Sequence, residues 1–242
     1  MTQSDRSTKR IKPKIIVAIP CFNEKQFISD VVTRARRYVD RVIVVDDGST
    51  DSTSEAAQSA GAHVIRHERR QGAGAATRSA FEAAKTYNAE VLVTLDGDGQ
   101  HNPDEIPRVM APILNGEADL VIGSRFIQSP EHIQGTQRTN IRCYRKFGID
   151  VITWLYNLSS KVKVSDSQSC FRAHSRRLLK DIDITENGFG FSVEVLIKAR
   201  RKGFVITEVP ISCVYHSQGS SLNPVTHGLG VAFNVIRLRL RN

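Results

Sequence analysis

The stretch Val91-Leu92-Val93-Thr94-Leu95-Asp96-Gly97-Asp98-Gly99-Gln100-His101-Asn102-Pro103 reads as a short buried strand that runs out into an acidic turn and a helix start. Apolar and β-branched residues without alternation, at 91–95, suit a strand covered on both faces. Pro103 to Leu114 follows with helical spacing. The same order recurs upstream, with strands expected at 15–19, 42–45 and 62–66 and helices at 23–38, 52–60 and 74–87; a further strand is expected at 119–122. Strands separated by helices make βαβ units and a mostly parallel sheet, so the fold class is α/β. In such sheets ligands bind beyond the carboxyl ends of the strands, and the acidic turn falls there.

Asp96 and Asp98 stand one residue apart at a strand end, and the flanking glycines let a bulky ligand come close. Carboxylates with a nearby amide, Gln100, suit a hard divalent cation, Mg²⁺ or Mn²⁺, shared with substrate phosphates. A polar turn with a helix cap is the plainer reading. A calcium loop is excluded, because its register from Asp96 needs Gly where His101 stands and Glu where Pro107 stands. Val44-Val45-Asp46-Asp47-Gly48-Ser49 offers carboxylates to a ribose or base, or else makes a turn and a cap. Ile19-Pro20-Cys21-Phe22-Asn23-Glu24 closes the first strand. Gly72-Ala73-Gly74 is no dinucleotide fingerprint: Thr77 replaces the third glycine, and the acidic strand end at Asp46 precedes the glycines. That helix start either favours a phosphate or packs tightly.

The chain has 242 residues with 34 Lys+Arg against 25 Asp+Glu, a net charge of +9 that points to an anionic partner. No aromatic-interleaved basic motif supports nucleic acid. The 4 cysteines are too sparse for a disulfide scaffold and form no CxxC, which argues against a zinc site and suits a reducing compartment. No apolar run approaches the roughly 18 residues of a transmembrane helix, and residues 1–14 form a loose basic tail without a signal-peptide core. In the second half, 126–137 is an irregular loop. Residues 138–160 form a helix whose entry is basic (Arg138, Arg142, Arg145, Lys146) and whose apolar stripe either lies in a membrane interface or belongs to the core. A strand at 169–173, a helix at 191–201 and strands at 204–215 broken at Pro210 follow. The expected organisation is one domain over 15–224, with a basic segment at 225–242.

Taken together, IPCFNE (19–24), VVDDGSTDST (44–53), GAGAATRSAFEAA (72–84), LDGDGQHNPDEIP (95–107), GSRF (123–126) and DSQSCFRA (166–173) resemble the family 2 glycosyltransferases, in the branch of dolichol-phosphate mannosyltransferase and polyprenyl-phosphate glycosyltransferases. The resemblance implies a GT-A fold: a Rossmann-like, mostly parallel sheet flanked by helices, with a nucleotide-sugar half (15–123) and an acceptor-binding half (124–224). It implies that Pro20, Asn23, Glu24, Asp46 and Asp96 hold the nucleotide, and that Asp96, Asp98 and Gln100 hold the metal. Arg125 and Arg138 then meet the acceptor phosphate, with Arg125 also near the donor. Asp166, Gln168 and Glu194 line the sugar pocket. His216 and Ser221 stand where relatives carry basic residues, and the Gln-x-x-Arg-Trp signature of processive synthases is missing; the single tryptophan is Trp154.

The expected reaction is therefore metal-dependent, inverting transfer of a hexose from GDP-mannose or a UDP-sugar. Asp98, Arg125 and Asp166 carry the chemistry, and Asp166 or Glu194 is the base if the acceptor is a hydroxyl. The arginines around 125–145 favour a polyprenyl (dolichyl) phosphate acceptor, met by a peripheral protein on the cytoplasmic face of the membrane. A glycan or small-molecule acceptor is the alternative, and a non-catalytic binder of nucleotide sugar or lipid phosphate a further one.

Overall fold

A computed structural model describes residues 14–127, 143–158, 160 and 162–214. Arg138, His216 and the 225–242 segment lie outside the described residues, as does the 1–14 tail up to Lys14. In chain order the elements are β1 (Ile15–Cys21), α1 (Ile28–Ala35), β2 (Arg41–Asp46), α2 (Thr53–Ser59), β3 (His63–Arg66), α3 (Ala73–Thr86) and β4 (Val91–Thr94). A single 3-10 turn (Pro103–Glu105) leads into α4 (Ile106–Leu114), then β5 (Leu120–Ser124), α5 (Cys143–Asn157), β6 (Arg172–Ser175), α6 (Arg176–Asp181), α7 (Phe191–Arg201) and β7 (Ile206–Pro210).

The strands form one 7-stranded sheet in the order β3-β2-β1-β4-β6-β5-β7. All neighbours pair in parallel except β6, which runs antiparallel between β4 and β5. Alternate residues of each strand serve opposite faces. Ile16, Ala18, Ile43, Val45, Leu92 and Ile122 pack with Ala76, Ala80 and Phe81 of α3 and with Val193 and Leu196 of α7. Ile15, Val17, Ile19, Val44, Val93 and Val121 pack with Val31 and Val32 of α1 and with Ile106 and Val109 of α4. A core on both faces is why the strands read as continuous apolar runs.

Three details depart from the sequence reading. Helix α1 starts at Ile28 and not at Asn23, because Asn23 has φ 58 and the N–H groups of Asn23 and Glu24 donate to Ser49 Oγ and Thr53 Oγ1, both at 2.9 Å. The strand expected at 169–173 lies at 172–175 and is followed by the unanticipated α6, capped by Ser175. The strands expected through 204–215 reduce to β7 and one bridge between Cys213 and His101.

With β6 reversed, the carboxyl ends of β1, β2, β4, β5 and β7 and the entry to β6 share one edge of the sheet. Every motif quoted above follows or precedes a strand at that edge, Gly72-Ala73-Gly74 included, since it follows β3 and its first N–H reaches Asp47 beyond β2. β1 is the point where the order of connection reverses, with β2 on one side and β4 on the other, the usual place for a ligand crevice.

Candidate active site

The acidic turn is seated against the first loop by its glycines. A Cβ on Gly97 would stand 2.9 Å from Cys21 Cβ, and Gly99, at φ +71, lies against the Phe27 ring. The backbone is pinned further on. Gln100 N–H donates to Asp98 Oδ1 (3.0 Å), Val214 N–H donates to the Gln100 carbonyl (2.9 Å), and Asp96 N–H donates to His101 Nδ1 (3.4 Å). Burial, and then the Arg125 charge, press the His101 pKa down to about 3, so the ring under the turn is neutral. Beside it Glu105, buried, accepts from the N–H (2.9 Å) and hydroxyl (3.0 Å) of Ser212 and so ties the chain after β7 to this loop.

Carboxylates crowd here. Burial raises the Glu24 pKa to about 7, aided by Asp98, Asp96 and Asp51. Asp96 is raised by desolvation and by Asp98, with Arg125 pulling the other way. Mutual repulsion of this kind is what a dication relieves. Among the described residues no three His, Cys, Asp or Glu side chains are grouped to hold a metal by themselves. Mg²⁺ or Mn²⁺ is generally held by one or two carboxylates and completed by substrate phosphates and water. Asp96 and Asp98 offer carboxylate oxygens of the kind such a cation takes, and Gln100 follows them in the same turn.

In the second loop the carboxylates expected to meet a ribose or base are bonded to protein groups. Asp46 is fully buried, accepts from Ser49 N–H (2.8 Å) and the Ser54 hydroxyl, and lies 3.7 Å from Arg66. Burial alone would raise its pKa; these bonds and the Arg66 charge hold it below the ordinary value. Asp47 accepts from His67 Nδ1 (2.8 Å), Gln71 N–H (2.9 Å) and Gly72 N–H (2.7 Å), while His67 Nε2 meets Ser79 Oγ at 2.9 Å. Asn23, exposed, accepts from Thr50 N–H at 2.8 Å. Pro20 closes β1 beside Val45. The first two motifs are thus cross-braced.

At the other side of the crevice Arg125 follows β5. Its Nε and Nη2 fork onto Asp166 at 2.7 and 2.8 Å, and its N–H adds a third bond at 3.2 Å. Asp166 also accepts from the N–H groups of Gln168 (3.3 Å) and Ser169 (3.1 Å), and it is wholly buried. Burial opposes its charge, but Arg125 and these bonds keep the carboxyl below its usual range. Behind it, Glu208 of β7 accepts from Ser165 N–H (2.7 Å) and Asp166 N–H (3.0 Å). Glu208 and Glu105 are not singled out by the sequence, where they read as ordinary polar positions of the strand at 204–215 and of the helix from Pro103.

Glu194 is also wholly buried. It accepts from Thr185 N–H (3.0 Å), Glu186 N–H (2.9 Å), the Thr185 hydroxyl and Lys198 Nζ (2.7 Å). It thereby shapes the 185–188 loop, whose Asn187 carbonyl accepts from Gly74 N–H at 2.8 Å. A Cβ on Gly74 would stand 2.1 Å from the Glu186 carbonyl oxygen. The α3 N-terminus is therefore closed by protein backbone, which resolves the choice between phosphate site and tight packing in favour of packing.

Helix α5 borders the site. Ile152 and Tyr156 face the core, whereas Phe147 (70%), Val151 (38%), Trp154 (61%) and Leu158 (55%) are exposed along one stripe. Part of the helix is core and part is an exposed apolar face. Among the described residues no helix is long and apolar enough to cross a membrane.

A family model described as glycosyl transferase family 2 matches residues 16–183. The chain is a family 2 glycosyltransferase. This glycosyltransferase is 31% identical to a UDP-N-acetylglucosamine–dolichyl-phosphate N-acetylglucosaminyltransferase of Methanococcus voltae, over 93% of this chain and 96% of that one. It is 30% identical to an undecaprenyl-phosphate mannosyltransferase of Micrococcus luteus, over 94% and 99%. A solved glucosyl-3-phosphoglycerate synthase of Mycobacterium tuberculosis, in complex with Mn²⁺ and UDP-glucose, superposes with a TM-score of 0.72 at 25% identity, covering 94% of this chain and 78% of that one. The architecture is accordingly GT-A-like, a mostly parallel sheet flanked by helices.

Proposed function

We propose that this family 2 glycosyltransferase moves a hexose from a nucleotide sugar to a polyprenyl phosphate, with inversion, on the cytoplasmic face of a membrane that it meets without spanning. The observation that carries the reading is the state of the two base candidates. Asp166 and Glu194 are both wholly buried and hydrogen-bonded on every side described above. A hydroxyl acceptor needs a positioned base. A phosphate monoester has a second pKa of about 6 and is mostly a dianion near neutral pH. It needs cations to orient it, and no deprotonation.

Within a single domain over 15–224, residues 15–123 carry the donor and 124–224 the acceptor. Pro20, Asn23 and Glu24 border the nucleotide, with Asp46 as the brace of that loop. Asp96 and Asp98 would hold the dication, whose positive charge would offset that of the leaving diphosphate. Arg125 adds a fixed charge on the acceptor side; Asp166 and Glu208 act by holding it, since a guanidinium forked by a carboxylate keeps one orientation. Gln168 and Glu194 frame the sugar end, and Arg138 and His216 are assigned to acceptor and donor phosphates by their place in the sequence. The uncovered face of α5 gives an apolar acceptor chain somewhere to lie. The printed names of both relatives, which specify lipid-phosphate acceptors, support the same reading.

The test is a partition assay. Radiolabelled UDP-glucose, UDP-N-acetylglucosamine and GDP-mannose are incubated separately with the protein, Mn²⁺ and undecaprenyl phosphate in detergent. Label from one donor should enter the organic phase only when the phosphorylated lipid is present. Label transferred instead to an aqueous glycan or small-molecule hydroxyl would refute the proposal.

A further inference from the structure

We infer that Lys146 is an acceptor-binding residue: together with Arg125 it grips the phosphate of an amphiphilic acceptor whose apolar chain leaves along α5. The inference rests on the acceptor reading above and adds a residue that the sequence had placed only in a basic helix entry. Phe126, next to Arg125, is flanked by two cations. The Arg125 guanidinium carbon is 5.8 Å from its ring centroid and Lys146 Nζ is 5.3 Å from the same centroid. The ring thus brings a cation of α5 to the residue that ends the β5 motif, although twenty residues separate the two in the chain.

The partners of the two cations differ in kind. Arg125 is nearly buried and forked to Asp166, with side-chain exposures of 11% and 0%. Lys146 is half exposed and meets Asp150 one turn on, at 2.7 Å. An exposed pair of this spacing is weak, so a dianion arriving at Phe126 can draw the ammonium across at little cost. An ammonium is a compact charge on a flexible stem, suited to following a phosphate; the forked guanidinium is suited to fixing one.

Phe147 follows Lys146 directly and begins the exposed stripe continued by Val151, Trp154 and Leu158. One element therefore carries a cation at the site and an apolar track that starts beside it. A ligand with an anionic head and a hydrocarbon chain matches both ends; a phosphate without a chain matches only the first.

Steady-state kinetics of the full chain test this with farnesyl phosphate, 3-phosphoglycerate and farnesol as acceptors, in Lys146→Ala and Lys146→Arg. Loss of one charge-assisted contact should raise the farnesyl phosphate KM about tenfold in Lys146→Ala, with the donor KM moved less than about twofold. Lys146→Arg should restore the acceptor KM to within about threefold, because the charge is kept. Farnesol should not be turned over, and 3-phosphoglycerate should have the higher KM. Unchanged acceptor KM in Lys146→Ala, or equal rises for donor and acceptor, overturns the role of Lys146 while leaving the transfer reaction standing. Equal KM values for farnesyl phosphate and 3-phosphoglycerate overturn the apolar track. A wild-type protein that ignores farnesyl phosphate overturns the acceptor reading itself, and this inference with it.

Discussion

Arg125 and Asp166 hold each other in a place where neither is tolerated alone. Asp166 is wholly buried and its carboxylate is the acceptor for both tines of the guanidinium. Truncation in Asp166→Ala leaves a nearly buried cation without its counter-charge, and a broken buried pair typically costs about 3–5 kcal/mol. Urea unfolding should report a loss of that order, and transfer activity should fall with it. A second residue-scale prediction concerns His174. It is 2% exposed, Nδ1 has no partner among the described residues, Nε2 is 3.5 Å from Thr94 Oγ1, and the Phe81 ring packs on it at 4.9 Å. Burial, then Arg172, depresses its pKa to about 3. The unfolded chain takes up a proton near pH 6.5 that the folded chain refuses, so this stability is full above pH 6.5 and is lost as pH falls towards 3. Melting temperatures between pH 7.5 and 4.5 should fall less steeply in His174→Asn than in wild type; parallel slopes would contradict this. Asp96 and Asp98 were legible in the sequence because their chemistry is local, two carboxylates at one strand end. The closed state of Asp166 was not, because its guanidinium partner Arg125 lies 41 positions away; Asp46 and Glu194 are closed mostly by residues within nine positions, through loop conformations that composition does not reveal.

At the scale of elements, periodicity located nearly every strand and helix because each is buried on the side that its apolar residues predict. β6 was displaced and its direction unread, since an antiparallel strand inserted between β4 and β5 is a matter of pairing partners and not of composition. Two predictions belong here. The α3 N-terminus approaches the 186–188 backbone so closely that Gly74→Ala places Cβ 2.1 Å from a carbonyl oxygen. Overpacking against backbone should destabilise by about 1–3 kcal/mol or more, measured by denaturant midpoint. The α5 stripe behaves oppositely. Trp154→Asp removes an exposed residue, so stability should stay within about 0.5 kcal/mol of wild type. Co-sedimentation with anionic vesicles should nevertheless drop, because an interfacial helix binds through its apolar area. Undiminished sedimentation would remove the membrane role of this face.

At the scale of the whole molecule the proposed donor and acceptor residues that the structure describes share one sheet edge, and their loops are tied to one another. Glycines seat the acidic turn on β1, Asp46 and Asp47 brace the second loop, and Glu105 and Glu208 fasten the chain around β7 to the acidic turn and to Arg125. On the proposed function, a braced frame around crowded carboxylates would be preorganised for a dication and a diphosphate arriving together. The most direct measurement is an electron paramagnetic resonance titration of Mn²⁺ in the presence and absence of UDP or GDP, on wild type and Asp98→Asn. One nucleoside diphosphate should tighten Mn²⁺ binding by at least about tenfold in wild type and not in the variant. Mn²⁺ binding that neither nucleotide strengthens, or that Asp98→Asn leaves intact, would contradict a metal held between the acidic turn and the donor.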